Sequence, residues 1–510
     1  MSEALAGMLP AAPAAVPRDA AVAIVFRRTA TGIEVFWTRR ELALRFAGGF
    51  VAFPGGRFEV QDQEISVLHA QGVDAALRAT AARELFEETG MLIADGQSSL
   101  STDRRRAMRR ALLEESAAFG ELLRTEGLRL RSGDFLEAGR WVTPAFLPSR
   151  FDARFFLVEA PAGIEAEMWP GEHAEGAWIS PSAALARWEA GTALLHPPTL
   201  HALQVLSRFT SPLEAAARIA APPDCEDFVG KRIEFQRGIC LVPLRTPTLP
   251  PATHTNCYVI GNEELLIVDP GSEEDSELKA LFELIEHRRA EGARPIAVVL
   301  THHHRDHIGG AEKVKRALNL PLWCHARTAD RLAFPSDRLL SEGEVLALGG
   351  SPAMRWRVLH TPGHAQGHLC LLDLRSHAAL VGDLVAGVGT ILIDPPEGQM
   401  GEYLRQLARL RELPVGALYP AHGPVLADGP AKLAEYLSHR AQREQKVLGS
   451  IGPDGASAEE IVARAYDDVA QLALPIAERS TQAILIKLIE EGRVRHLQGQ
   501  YFRIEAQPLR

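Results

Sequence analysis

The chain is poor in cysteine, has no long apolar run and carries no excess of positive charge. Its five cysteines, Cys225, Cys240, Cys257, Cys324 and Cys370, are odd in number and show no paired spacing. That speaks against a disulfide framework and fits a reducing cytoplasm. No stretch approaches the roughly 18 apolar residues of a membrane span. Residues 1–18, rich in Ala and Pro, have Glu3 where a secretory signal needs positive charge, so they read as a mobile tail. Pro508-Leu509-Arg510 is not a peroxisomal address. The expectation is a cytoplasmic protein with no membrane partner. With 55 Lys and Arg against 65 Asp and Glu, the net charge is −10. Electrostatic attraction normally supplies most non-specific nucleic-acid affinity, so this balance disfavours a general nucleic-acid binder. Arg104, Arg105, Arg106, Arg109 and Arg110 are followed by Glu114 and Glu115 and read as a solvated helix face. What is present is ample apolar content, 46% over 510 residues, enough for three or four packed domains. No internal repeat is visible.

The most informative run is Thr301-His302-His303-His304-Arg305-Asp306-His307, which follows an apolar, β-branched stretch at 296–300. That stretch predicts a buried strand delivering the run to a surface. Residues two apart on an extended segment point the same way, so His302 and His304 can converge on one metal ion while Asp306 and His307 serve a second. Downstream, further strand-like runs end in His360-Thr361-Pro362-Gly363-His364, in Gly382-Asp383 and in Pro420-Ala421-His422-Gly423. Upstream, one ends in Asp269-Pro270-Gly271.

Together these residues resemble the metallo-β-lactamase fold family over residues 230–450. The resemblance implies an αββα sandwich with the metals at one edge. It implies that His302, His304 and His364 hold the first metal, Asp306, His307 and His422 the second, with Asp383 bridging. Asp306, His307 and Asp383 would be the catalytic residues, and Asp269 would orient the ligand loops. Two divalent cations bring bound water from a pKa of about 15.7 to near neutrality and polarise the bond under attack, so hydrolysis is the expected reaction. Imidazole and carboxylate ligands suit zinc and admit manganese or iron. His303 reads as solvent-facing, His325 and His360 as structural.

Within that family, Thr253-His254-Thr255-Asn256-Cys257-Tyr258, Gly387-Val388-Gly389-Thr390 and His439-Arg440 with Arg443-Glu444 and Val447-Leu448 resemble the group known as metallo-β-lactamase-like protein 2. Its members end in a winged helix, and residues 451–510 match. Ser457 to Glu460 predicts a helix N-terminus. A second helix spans about 476–491, stopped by Gly492, and a hairpin turns at Gln498-Gly499. The resemblance implies endoribonuclease activity on single-stranded RNA. Arg479, Lys487, Arg493 and Arg495 are candidate phosphate contacts, but the segment also carries Asp454, Glu459, Glu460, Asp467, Asp468, Glu478, Glu490 and Glu491 and no basic stripe stands out. A packing or dimerisation role is therefore an equal alternative.

In the amino-terminal third, residues 81–91 predict a helix closed by Gly90. Glu84, Glu87 and Glu88 fall on neighbouring positions of one face, and Arg83 lies four before Glu87. Such carboxylates suit magnesium or manganese held together with substrate phosphates. With Phe53-Pro54-Gly55-Gly56 upstream, they resemble the Nudix box of diphosphate hydrolases. In that box the last glycine lies fourteen residues before the arginine and the first glutamate eight before it. Here Gly56 and Arg83 are 27 apart, and Ala75 stands at the glutamate position. Glu59 and Glu64 are the candidates to replace it. Arg39, Arg40, Arg45 and Gly49 partly resemble a coenzyme A diphosphatase signature. Trp141, Pro144, Arg150, Arg154, Glu172, Glu175 and Trp178 resemble interrupted-box Nudix proteins.

The expected architecture is α/β and α+β multidomain: a tail (1–18), a Nudix-like α/β/α sandwich (19–215), a linker (216–229), the metallo-β-lactamase-like αββα domain (230–450) and a winged helix (451–510). The expected activity is metal-dependent hydrolysis of an RNA-like phosphodiester or of an ester or thioester, with a second, Mg-dependent diphosphatase domain. The alternatives are a small-molecule thioesterase or coenzyme A-derivative hydrolase, and a nucleic-acid-binding regulator with a non-catalytic Nudix module. The expected partner is a small molecule or single-stranded RNA.

Overall fold

The computed structural model describes residues 15–42, 44, 47–144, 147, 149–163, 165–169, 172–221, 232–468 and 474–504. Arg45, Cys225, part of the expected linker and both chain ends lie outside them. The chain divides into two compact units, with the boundary between Arg237 and Gly238.

The amino-terminal unit is built on a mixed sheet. Its strand Arg18–Thr29 runs parallel to Phe151–Glu159 and antiparallel to Gly32–Arg40 and to Gly55–Arg57. Side chains alternate across a strand, and the core divides accordingly. Ala21, Ala23 and Val25 pack with Ala82, Leu85 and Phe86 of the helix Gly72–Thr89. Ile24 and Phe26 pack with Trp188, Leu203 and Ile219 of the helices Pro181–Glu189, Pro197–Leu206 and Pro212–Ala220. Both sheet faces are thereby covered. Helix Pro212–Ala220 buries Ala215, Ala216 and Ile219, so the segment expected to begin a linker at 216 starts inside a packed helix. Its apolar face outweighs the flanking prolines as a structural signal. The helix expected over 81–91 begins at Gly72 because the intervening residues include strong helix formers such as Ala75, Ala76, Leu77, Ala79, Ala81 and Ala82. It ends as expected at Gly90, whose φ of 72° is the left-handed conformation glycine tolerates.

The second unit contains two sheets. One runs Ile239–Arg245, His254–Ile260, Glu264–Val268, Arg294–Val299, Leu322–His325 and Arg338–Leu340 in spatial order. Its last three pairings are parallel. Strands buried on both faces read as continuous apolar runs, which is why residues 265–268 and 296–300 stood out. The other sheet runs Val345–Leu348, Met354–His360, Leu369–Asp373, Ala379–Gly382 and Leu418–Pro420. Helix Asp275–Ala290 packs on the first sheet. Helices Met400–Glu412 and Gly429–Gly449 share a core with Leu372, Ala379 and Val381 of the second. This is the helix-flanked two-sheet sandwich.

The winged helix follows. Ser457 caps helix Ala458–Ala465 in a reciprocal box: its Oγ accepts from Glu460 N at 3.2 Å, and Glu460 Oε2 accepts from Ser457 N at 2.8 Å. Helix Leu474–Glu490 leads to the hairpin Val494–Leu497 and Gln500–Arg503, whose two turn residues, Gln498 and Gly499, both have positive φ. Ile461, Ala477, Leu485, Leu488 and Val494 belong to the same buried cluster as Leu433, Val447 and the second sheet. The winged helix therefore completes the core of the two-sheet sandwich. Leu485, 1% exposed, lies in that seam. Leu485→Ala is expected to cost about 2–5 kcal/mol and to lower one shared unfolding transition of the sandwich and winged helix in calorimetry.

Candidate metal centre

All of the expected ligands come from strand ends at one edge of the sandwich. Beyond strand Arg294–Val299 the chain turns, places His302 and His304, and enters the short helix Arg305–Ile308, which carries Asp306 and His307. His364 follows Met354–His360, Asp383 follows Ala379–Gly382, and His422 follows Leu418–Pro420. Two glycines allow the close approach. A Cβ on Gly271 would lie 1.9 Å from Asp306 O, and one on Gly382 would lie 2.6 Å from His368 Nε2.

The structure gathers the seven side chains into overlapping groups whose ligand atoms lie within 4.8 Å of one another: His302, His304 and His364; His302, His307 and Asp383; Asp306, His307 and His422. His304 Nδ1 sits 3.0 Å from His302 Nε2 and 2.9 Å from His364 Nε2. Asp383 spans the groups, with Oδ2 3.3 Å from His364 Nε2 and Oδ1 3.5 and 3.3 Å from His307 Nε2 and His422 Nε2. Asp306 Oδ2 is 3.4 Å from His422 Nε2.

The opposite ring nitrogens are already engaged. His364 Nδ1 faces Leu392 O at 2.8 Å, and His422 Nδ1 faces His254 O at 3.0 Å. His307 Nδ1 faces Asp269 Oδ2 at 2.9 Å. A neutral imidazole that donates through one nitrogen offers a lone pair on the other. With the rings in this tautomer their lone pairs converge on common points, an arrangement that suits a cation. His307 Nε2 and Asp383 Oδ1, both buried, have no hydrogen-bond partner among the described residues. The residues thus fit a binuclear centre.

Electrostatics agree. Burial and the neighbouring rings of His307, His304 and His364 hold His302 well below the usual histidine range. Burial, with His304, brings His364 down to about 4. On the other side, burial opposes protonation of His422, but Asp383 and Asp306 prevail and raise it to about 10. With no cation between them, these carboxylates retain a proton on the imidazole.

Asp269 accepts from Thr301 N at 2.8 Å and Thr301 Oγ1 at 2.6 Å as well as facing His307, and so ties the ligand loop together. Asn256 donates to Pro420 O at 2.9 Å and Gly423 O at 2.8 Å, latching the His422 loop. His360 and His325 stack on one another away from the cluster, centroids 4.0 Å apart. His303 departs from expectation. Its side chain is 14% exposed and faces Glu397 at 3.2 Å instead of solvent, because the chain reverses at Pro395 and Pro396 and returns a carboxylate to the site. Glu397 and the buried His368, whose Nε2 accepts from Asp383 N at 3.0 Å, were not anticipated. Glu397 lies in no strand-end motif, whereas His368, four residues after His364, was open to counting.

In the amino-terminal unit, Glu84, Glu87 and Glu88 cluster as expected, but neither Glu59 nor Glu64 serves the arginine. Arg83, 2% exposed, pairs with the fully buried Asp62 at 2.8 Å, and with Glu84 at 3.0 Å and Glu87 at 3.3 Å. Asp62 lies six residues after Gly56, where counting forward puts the box's first acid; counting back from Arg83 crosses the insertion and lands on Ala75. Burial outweighs Arg83 and, aided by Glu88 and Glu87, pushes Glu84 up to about 8, which a divalent cation would relieve. Glu88 also meets His173 at 2.9 Å. Arg109 is not on a solvated face: it is 5% exposed and donates to Glu87 O at 2.9 Å, bracing the end of the glutamate helix.

Among known proteins, the Metallo-beta-lactamase superfamily model matches residues 250–422 and the Beta-lactamase associated winged helix domain model matches 457–502. An atrochrysone carboxyl ACP thioesterase of Aspergillus chevalieri is 30% identical over 48% of this chain and 79% of its own length. A Drosophila melanogaster beta-lactamase-like protein 2 homolog is 26% identical over 47% and 84%. The crystal structure of a NUDIX hydrolase from Alicyclobacillus acidocaldarius aligns at 30% identity over 41% of this chain and 99% of that one, with a TM-score of 0.35. The chain belongs to the metallo-β-lactamase superfamily. It is a hydrolase of that fold carrying a winged helix. Among the described residues no helix is long and apolar enough to cross a membrane, and no disulfide joins the buried Cys240, Cys257, Cys324 and Cys370.

Two outcomes are expected here. Metal titration of ion-free protein should release two or more protons, from the raised His422 and His307 and from metal-bound water; affinity should therefore rise with pH, and calorimetry in buffers of different ionisation enthalpy measures the count. Asp62→Ala should destabilise the amino-terminal unit by about 1–3 kcal/mol, since it strips the buried Arg83 of its one fully buried partner and leaves it only Glu84 and Glu87, whereas Glu64→Ala should change little in urea unfolding.

Proposed function

We propose that the protein hydrolyses an acyl thioester or related small-molecule ester at the strand-end centre, using two transition-metal ions. The observation that carries this choice over RNA is the fate of the winged helix's cations. Arg479 is paired with Asp394, Lys487 with Glu444 at 2.7 Å, and Arg493 with the same Glu444. Arg495 lies over the Phe502 ring at 5.4 Å. The side chains that could grip phosphates are spent on internal contacts, and the net charge repels a polyanion. The thioesterase named among the relatives points the same way.

Bound cations would supply hydroxide near neutral pH and polarise the carbonyl under attack. His302, His304 and His364 would hold one, and Asp306, His307 and His422 the other. Asp383 would face both through its two oxygens. The protein's own work is to fix the tautomers: the Leu392 and His254 carbonyls and Asp269 keep each acceptor nitrogen turned inward. Zinc is the metal best suited to this donor set.

The amino-terminal unit is read as a Nudix-like, Mg-dependent diphosphatase. Glu84, Glu87 and Glu88 would hold the cation, and the Asp62–Arg83 pair would hold the helix. A coenzyme A derivative unites both substrate bonds, a thioester and a diphosphate, in one molecule.

The metal-loaded protein should cleave acyl-thioesters and leave single-stranded RNA intact. Asp383→Ala should abolish that activity and reduce about two metal equivalents sharply; RNA cleavage without thioester cleavage would reverse the assignment. Mg-dependent release of phosphoadenosine fragments from coenzyme A derivatives should disappear in Glu87→Gln and persist in His302→Ala. Absence of release from wild type would leave this unit a recognition module.

A further inference from the structure

The loop between Thr390 and Gln399 is held at both ends of the domain and touches the metal centre twice. Arg440, from helix Gly429–Gly449, donates to Thr390 Oγ1 at 3.0 Å and to the Ile391 carbonyl. Arg479, from the winged helix, pairs with Asp394 and donates to the Pro395 carbonyl. Gln399 N donates to Gly363 O at 2.7 Å, and Gln366 donates to Glu397 O at 3.0 Å. So anchored, the loop offers Leu392 O to His364 Nδ1 and the Glu397 carboxylate to two histidines. Glu397 Oε1 lies 3.2 Å from His303 Nε2, and Oε2 lies 3.6 Å from His304 Nε2.

His304 differs from its neighbours in presenting Nδ1, not Nε2, to the cluster. With Nδ1 as the acceptor, Nε2 must carry the hydrogen, and Glu397 is the carboxylate that faces it. Carboxylates on the far nitrogen of a ligating imidazole fix its tautomer and ring orientation and raise its basicity. His303, on the other oxygen, keeps Glu397 in place. We infer that Glu397 is a positioning residue for His304, and that the winged helix, through Arg479, holds the loop that delivers it. The inference rests on the binuclear reading above. It gives the winged helix a task at the centre without nucleic acid.

The test is metal affinity of the full-length protein, measured for zinc by chelator competition and for cobalt by its visible spectrum. Wild type should bind two equivalents; if it does not, the binuclear reading falls and this inference with it. Given two, Glu397→Ala should weaken one equivalent roughly tenfold or more, shift the cobalt bands and leave the other equivalent unchanged. Glu397→Gln, whose amide oxygen can still accept from Nε2–H, should recover most of the loss. Arg479→Ala should weaken the same equivalent with wild-type unfolding behaviour for the rest of the unit. Unchanged affinity in Glu397→Ala, or equal loss of both equivalents in Glu397→Ala and Glu397→Gln alike, would overturn the assignment.

Discussion

The second unit depends on an electrostatic conflict at the strand ends, which bound cations would resolve and which protons on His307 and His422 otherwise offset. Ring nitrogens of His302, His304 and His364 stand about 3 Å apart, and the carboxylates of Asp383 and Asp306 close in on His307 and His422. Buried polar atoms without good hydrogen bonds are costly, so a fold that holds His307 Nε2 and Asp383 Oδ1 3.5 Å apart with none is suited to a cation. The surrounding hydrogen bonds serve this purpose. Carbonyls of Leu392 and His254, and the Asp269 carboxylate, occupy the far side of each ring and prevent it from turning away.

That requirement reaches well beyond the strand ends. Helix Gly429–Gly449 carries Arg440, Arg443 and Glu444 within little more than one turn, and each does a different job. Arg440 secures the loop behind His364. Arg443 pairs with Asp468 at 3.0 Å, and Glu444 takes Lys487 and Arg493. The helix is thus a joint between the metal-bearing sandwich and the winged helix, reinforced by an apolar cluster that runs without interruption through both. A domain attached in this way is better fitted to shape a site than to reach for a separate polymer.

The amino-terminal unit poses the same problem on a smaller scale. Three carboxylates crowd one helix, and Arg83 is buried among them. Asp62, arriving from a short helical turn, gives Arg83 its fully buried partner and also accepts from Thr80 Oγ1 at 2.9 Å. Of the residues between Asp62 and Arg83, 72–82 form the first turns of the glutamate helix and Val67–Leu68 a short strand paired with Leu130–Arg131. The extra residues are tolerated there because they build these elements without displacing the side chains that meet.

Local pattern alone revealed the strands, the ligand types and the winged-helix hairpin. Continuous apolar runs mark buried parallel strands, His302, His304, Asp306 and His307 crowd into a single turn, and Gln498-Gly499 can adopt the positive φ its turn demands. Asp62 was open to counting forward from Gly56, but Glu397 and His303 could not be read in that way. Glu397 lies 93 and 94 residues from His304 and His303 in the chain, and whether a carboxylate meets an imidazole or water is decided by how loops close. The winged helix shows the same division: its elements follow from periodicity, but the pairing of its cations with Asp394 and Glu444 exists only once both domains have packed against a common core.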